Sequence, residues 1–146
     1  MELASRNSIT GKTPGRDEMV EKLKKSLSMH DDIVFVFLFG SFVRGDMTSS
    51  SDLDIAIYFS GAVDYYRVID LREELSEMFG VETDIVVLNN ASPVIKMQVL
   101  KKGTSLFVKD HRAYNEFFVN TIKEYDDLKM TRREIEEKIL RGRIYA

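Results

Sequence analysis

Cysteine is absent from this 146-residue chain. That removes any disulfide framework and any thiolate zinc site, and it suits a reducing compartment. Long apolar runs are missing as well. The longest, Ile33 to Phe39, is too short to span a bilayer and reads as a buried strand, so no membrane association is expected. Met1 to Thr13 lack the charged and then apolar regions of a signal peptide, and a cytoplasmic location is the expectation. A basic excess is lacking too: 21 Lys and Arg stand against 24 Asp and Glu, for a net charge of -3. No basic stripe is left to track a phosphate backbone, so long nucleic acids are not expected to bind directly. Internal repeats, Pro-rich linkers and low-complexity segments are also missing, beyond the short run Thr48-Ser49-Ser50-Ser51.

What remains is ordinary globular composition, 44% hydrophobic and 31% charged, at a length that suits one domain and one core. The chain is read as a single domain over 1–146, with 1–13 as a loose terminus and 110–146 as a C-terminal helical segment. Arg16 to Met29 carries Val20, Leu23 and Leu27 at helical spacing. Ile33 to Phe39 is apolar at every position, as in a central strand covered on both faces. Asp52 to Phe59 alternates, with Leu53, Ile55 and Ile57 on the face opposite Asp52 and Asp54. Asp64 to Phe79 reads as a helix stopped by Gly80, and Glu82 to Leu88 as a third strand. Ser92-Pro93 opens a further helix that Gly103 closes, Thr104 to Val108 is an edge strand, and the tail from Tyr114 is one long helix or two shorter ones. The fold class is α/β, a mixed sheet of three or four strands with helices packed on one side and a triphosphate site on its open edge.

The chemistry lies between Phe39 and Tyr58. A buried strand ends in Gly40-Ser41, ten residues intervene, and a new strand opens with Asp52 and Asp54. Residues i and i+2 of a strand share a face, so the two carboxylates stand side by side and repel unless a cation lies between them. Magnesium, a hard ion that takes oxygen ligands, suits them. Gly40 lets the backbone come close to a ligand, and free N–H groups with the Ser41 hydroxyl form a phosphate seat. Seat and carboxylates together point to a nucleoside triphosphate. Asp84, early in the third strand and in phase with Val86 and Leu88, would share a metal and prepare an acceptor hydroxyl; its plainer reading is a strand-edge acid facing water.

Gly40-Ser41, ten residues and Asp52-x-Asp54, with Arg44-Gly45 inside the interval, resemble the signature of the polymerase-β-like nucleotidyltransferases. More narrowly, length, the third-strand aspartate, the Ser-Pro helix ending in glycine and the Tyr-Asp-bearing final helix resemble the minimal nucleotidyltransferase (MNT) antitoxins paired with HEPN ribonuclease toxins. The resemblance implies a polymerase-β palm-like fold, ATP and magnesium as ligands, and a two-metal mechanism. It implies metal binding by Asp52, Asp54 and Asp84 and phosphate contacts from Gly40 and Ser41. Its implied activity is transfer of AMP to a tyrosine of the partner toxin. Two alternatives stand beside it: adenylylation of a small hydroxylated molecule such as an antibiotic, and non-catalytic sequestration of a partner.

Other residues carry less. Arg44 can bind phosphate, pair with Asp46 or simply be solvated. Gly11-Lys12-Thr13 lacks the first glycine and the preceding strand of a P-loop. His30 and His111 have no partner histidine at ligand spacing. Around Tyr125 to Ile139 the apolar spacing loosens, which marks surface for docking a partner or for an oligomer built through the C-terminal helices.

Overall fold

The computed structural model describes residues 15–40 and 52–145, the side chains of residues 16 and 143–145 excepted. Helix α1 (Arg16–Ser28) leads into β1 (Ile33–Phe39), followed by β2 (Leu53–Phe59), α2 (Tyr65–Phe79), β3 (Thr83–Val87), α3 (Pro93–Lys102), β4 (Thr104–Val108) and α4 (His111–Tyr145). The four strands form one sheet in the order β3-β2-β1-β4. β1 pairs antiparallel with β2 and β4, whereas β2 and β3 run parallel. A parallel pair needs a long crossover, and α2 provides it.

Local chemistry sets the helix ends. The Asp64 carboxylate accepts the Tyr66 N–H at 3.0 Å, and Gly80, at φ 67°, takes the left-handed turn that ends α2. Ser92 accepts the Ile95 N–H at 3.2 Å and Pro93 fills the first position of α3. At the other end, the Gly103 N–H donates to Val99 O at 2.7 Å, so close that a side chain there would meet that carbonyl.

Helices cover both faces of the sheet. On one, Leu23 and Leu27 of α1 and Val68, Leu71 and Leu75 of α2 pack on Val36, Leu38, Leu53, Ile55 and Ile57. On the other, Val99 of α3 and Phe117 of α4 cover Phe35, Phe37 and Ala56. The expected one-sided packing is therefore corrected. β1 has no polar side chain to turn toward water, and β2 offers Ala56 and Tyr58 on its second face, so a bare face would expose a stack of aromatic rings. Phe35 lies 4.8 Å from Tyr58, ring on ring, and meets Phe117 edge to face at 5.3 Å.

Two polar contacts tie the loops to this frame. Asn89 accepts the Phe59 N–H at 2.9 Å and donates to Phe59 O at 2.7 Å, so one side chain extends the β2–β3 pairing past Val87. Arg67 at the start of α2 donates through Nε and Nη2 to both oxygens of Asp32, at 3.0 and 2.6 Å. That guanidinium holds the Asp32 carboxyl below its ordinary 3.8.

The C-terminal segment is one helix of 35 residues, about 52 Å long. Phe117 and Thr121 are buried against the domain, but every side chain from Lys129 to Gly142 is exposed. No helix among the described residues is long and apolar enough to cross a membrane.

Candidate active site

The alternation along β2 decides where its acids go. Leu53, Ile55 and Ile57 point into the α1–α2 core, which leaves Asp54, Ala56 and Tyr58 for the other face. Asp54 sits on a central strand, opposite Phe39 of β1 on one side and Asp84 of β3 on the other. Register partners share a face and neighbouring strands lie about 4.8 Å apart, so Asp54 and Asp84 leave the sheet from adjacent positions on one face. The next layer on the same face is Phe37, Ala56 and Val86, wholly apolar. The acidic pair thus stands at the rim of a hydrophobic floor, Asp84 exposed and Asp54 half-buried. Asp52, two residues upstream of Asp54 and just ahead of the strand, is exposed at the same end of the sheet.

Gly40 follows β1 directly, with φ at 84°. A β-carbon there would strike the Asp54 carboxylate. Sequence reasoning assigned the glycine to close approach by a ligand; the group that uses its missing side chain in this structure is Asp54 itself. The Asp54–Asp84 register was equally out of reach of sequence reasoning, since no local signal states which residues of two separate strands will pair. Ser41, Arg44, Gly45 and Asp46 lie outside the described residues.

Among the described residues, no three His, Cys, Asp or Glu side chains gather as a ready metal cluster. Asp52, Asp54 and Asp84 share one end of the sheet without converging on a point. His30 and His111 belong to no such cluster either.

Asp54, half-buried and backed by Gly40, is thus paired in register with Asp84 across a parallel ladder. Residues 21–112 match the family described as polymerase beta, nucleotidyltransferase. The chain belongs to that family and is a nucleotidyltransferase. Within it, the resemblance to the minimal nucleotidyltransferases is borne out. The chain is 30% identical over 105 residues to the protein adenylyltransferase MntA of Shewanella oneidensis, covering 72% of this chain and 75% of that one. Among solved structures it is similar to a chain of a toxin–antitoxin complex with AMP-PNP, with TM-score 0.72, 28% identity and coverage of 83% of this chain and 98% of that one. A second similar chain comes from a complex of tri-AMPylated Shewanella oneidensis HEPN toxin with its MNT antitoxin, at TM-score 0.70 and 25% identity, covering 86% of this chain and 99% of that one.

Proposed function

We propose that this chain transfers AMP from ATP to a tyrosine hydroxyl of a cognate HEPN-domain toxin, and so acts as the antitoxin of a pair. The observation that carries the reading is the Asp54–Asp84 pair, in register over an apolar floor and backed by Gly40. Support comes from the relatives: a protein adenylyltransferase, an antitoxin complex with an ATP analogue, and an antitoxin complex with an AMPylated toxin.

The donor set fits magnesium. It consists of hard carboxylate oxygens, and the chain has no cysteine to favour a softer ion. Asp52 and Asp54 would hold the ion that carries the triphosphate, with Asp84 sharing a second. Bound there, magnesium would neutralise the phosphates and stabilise the charge that builds on the departing pyrophosphate. That no three carboxylates cluster among the described residues is compatible with this, because magnesium typically takes one or two protein carboxylates and completes its shell with phosphate oxygens and water.

The protein's own residues do the rest. Gly40 keeps the Asp54 carboxylate where it is, and Gly40 and Ser41 offer backbone and hydroxyl donors to the phosphates. Arg44 is a further candidate for the same anion. The tyrosine oxygen attacks the α-phosphorus, the bond to the pyrophosphate oxygen breaks, and Asp84 receives the phenolic proton. The tyrosine is left carrying AMP through a phosphodiester. That adds charge and bulk where a ribonuclease must hold RNA, which accounts for silencing. The exposed position of Asp84 suits an acceptor that arrives on another protein's surface. On this reading the reaction runs in the cytoplasm, where toxin and ATP meet.

The test is transfer of radiolabel from [α-³²P]ATP, with magnesium, to a small helical HEPN-domain protein that carries an Arg-x4-6-His motif and is encoded by an adjoining gene. Label on the toxin band that chelator abolishes supports the reading. Label only on a small hydroxylated acceptor, or toxin inhibition without any label, would replace it with one of the two alternatives.

A further inference from the structure

We propose that the distal half of α4 is an arm that docks on the outward face of α2 in a second copy of this chain. The stripe that seals the sheet runs along α4 as Phe117, Thr121, Tyr125 and Leu128, and it does not stop where the domain stops. Arg132, Ile135 and Ile139 continue it at the same three- and four-residue steps, now in water. Ile135 is 53% exposed and Ile139 55%, with Met130 at 60% and Leu140 at 58% beside them. An apolar stripe held out on a helix with nothing beneath it is a docking feature.

Charge identifies the occupant. From Lys129 to Tyr145 six basic residues face three acidic ones, in a chain whose net charge is -3, so the body is correspondingly more acidic than the whole. Part of that acidity lies on α2, where four acids stand against Arg67 and the exposed Arg72. Its inward stripe, Val68, Leu71 and Leu75, is buried, and its outward face carries Asp70, Glu73, Glu74 and Glu77, all exposed. Arg67, a basic residue of the same helix, is engaged by Asp32. Exposed apolar groups lie among the acids: Tyr66 at 80%, Ile69 at 42% and Met78 at 40%. Tyr66, Asp70, Glu73 and Glu77 follow the same stepping as Leu128, Arg132, Ile135 and Ile139. The lengths match too, since the arm from 129 to 145 spans about 25 Å and α2 about 22 Å.

One such helix pair is smaller than a stable interface of about 1,600 Å². A two-fold arrangement makes the contact twice, each copy giving its arm and receiving its partner's. The basic and acidic rims set the register and make assembly salt-sensitive.

The experiment is sedimentation velocity with light scattering on the full chain, across protein concentration and salt. The expected result is a dimer that weakens as salt rises. Glu73→Lys with Glu77→Lys, which reverses α2, and Arg132→Glu with Lys138→Glu, which reverses the arm, should each give a monomer with unchanged circular dichroism. Mixing the two variants should restore a dimer, because each arm then meets a face of opposite charge. A misfolded variant would not be rescued in this way. A wild-type chain that stays monomeric at all concentrations overturns the proposal. So does a dimer indifferent to the α2 reversal, or an arm protected from proteolysis only when the HEPN toxin is added, which would assign it to that partner.

Discussion

Replacing Gly40 by alanine introduces two separable costs. The first is conformational: at φ 84° an L-residue pays roughly 1–2 kcal/mol. The second is steric, because the new β-carbon falls on the Asp54 carboxylate, and forcing atoms into an occupied space costs about 1–3 kcal/mol. Together they amount to roughly 2–5 kcal/mol, a large share of a typical stability of about 5–15 kcal/mol. In an Asp54→Ala background the steric part vanishes and only the conformational part remains. Urea unfolding of the four proteins in the cycle should therefore show a coupling of about 1–3 kcal/mol, with Gly40→Ala milder when Asp54 is gone. Nucleotidyl transfer by Gly40→Ala should fall by about 100-fold or more, because a displaced carboxylate no longer meets the reacting groups. Additive stabilities, or a wild-type rate in Gly40→Ala, would refute the claim that this glycine makes room for Asp54.

Asp52→Asn and Asp54→Asn should each abolish transfer while leaving the fold intact, since each removes a carboxylate charge and keeps the side chain's shape; circular dichroism beside a label-transfer assay checks both. Asp84→Ala should lower kcat far more than it weakens ATP binding, and the converse pattern in single-turnover kinetics and calorimetric titration would make it a binding residue. Arg67→Ala should cost about 1 kcal/mol near neutral pH, since the pair is half-exposed and its value is discounted for solvent screening. Because Arg67 lowers the folded-state pKa of Asp32 below 3.8, the pair's contribution is present above that value and fades as pH falls through the lowered one. Urea titrations at neutral pH and in acid should show the wild type and Arg67→Ala converging at the acid end.

Elements governed by local rules were legible in the sequence. Ser92, Pro93 and Gly103 marked both ends of α3, Gly80 ended α2, and the apolar run of β1 announced a strand covered on both faces. The two-residue alternation of β2 put Asp54 opposite the Leu53, Ile55 and Ile57 row. What was not legible is non-local. No feature of residues 82 to 88 states that Asp84 will sit beside Asp54, because register depends on how α2 lays β3 against β2. The Asn89 clamp on Phe59 has no sequence signature, since an asparagine after a strand usually signals a turn. The second helical layer is written in β1, apolar on both faces, but not in β2, where only the end bearing Asp54 is acidic and Ala56 and Tyr58 lie under α3 and α4.

The central claim is that the Asp54 and Asp84 end of the sheet moves AMP onto a tyrosine of a partner toxin, and the most direct measurement is the intact mass of that toxin after co-expression. With the wild-type chain the toxin should be heavier by one or more AMP units, fragment spectra should place them on tyrosine, and Asp54→Asn should return the toxin to its unmodified mass and restore its ribonuclease activity. A toxin that stays unmodified yet is inhibited equally by wild type and Asp54→Asn would contradict the account.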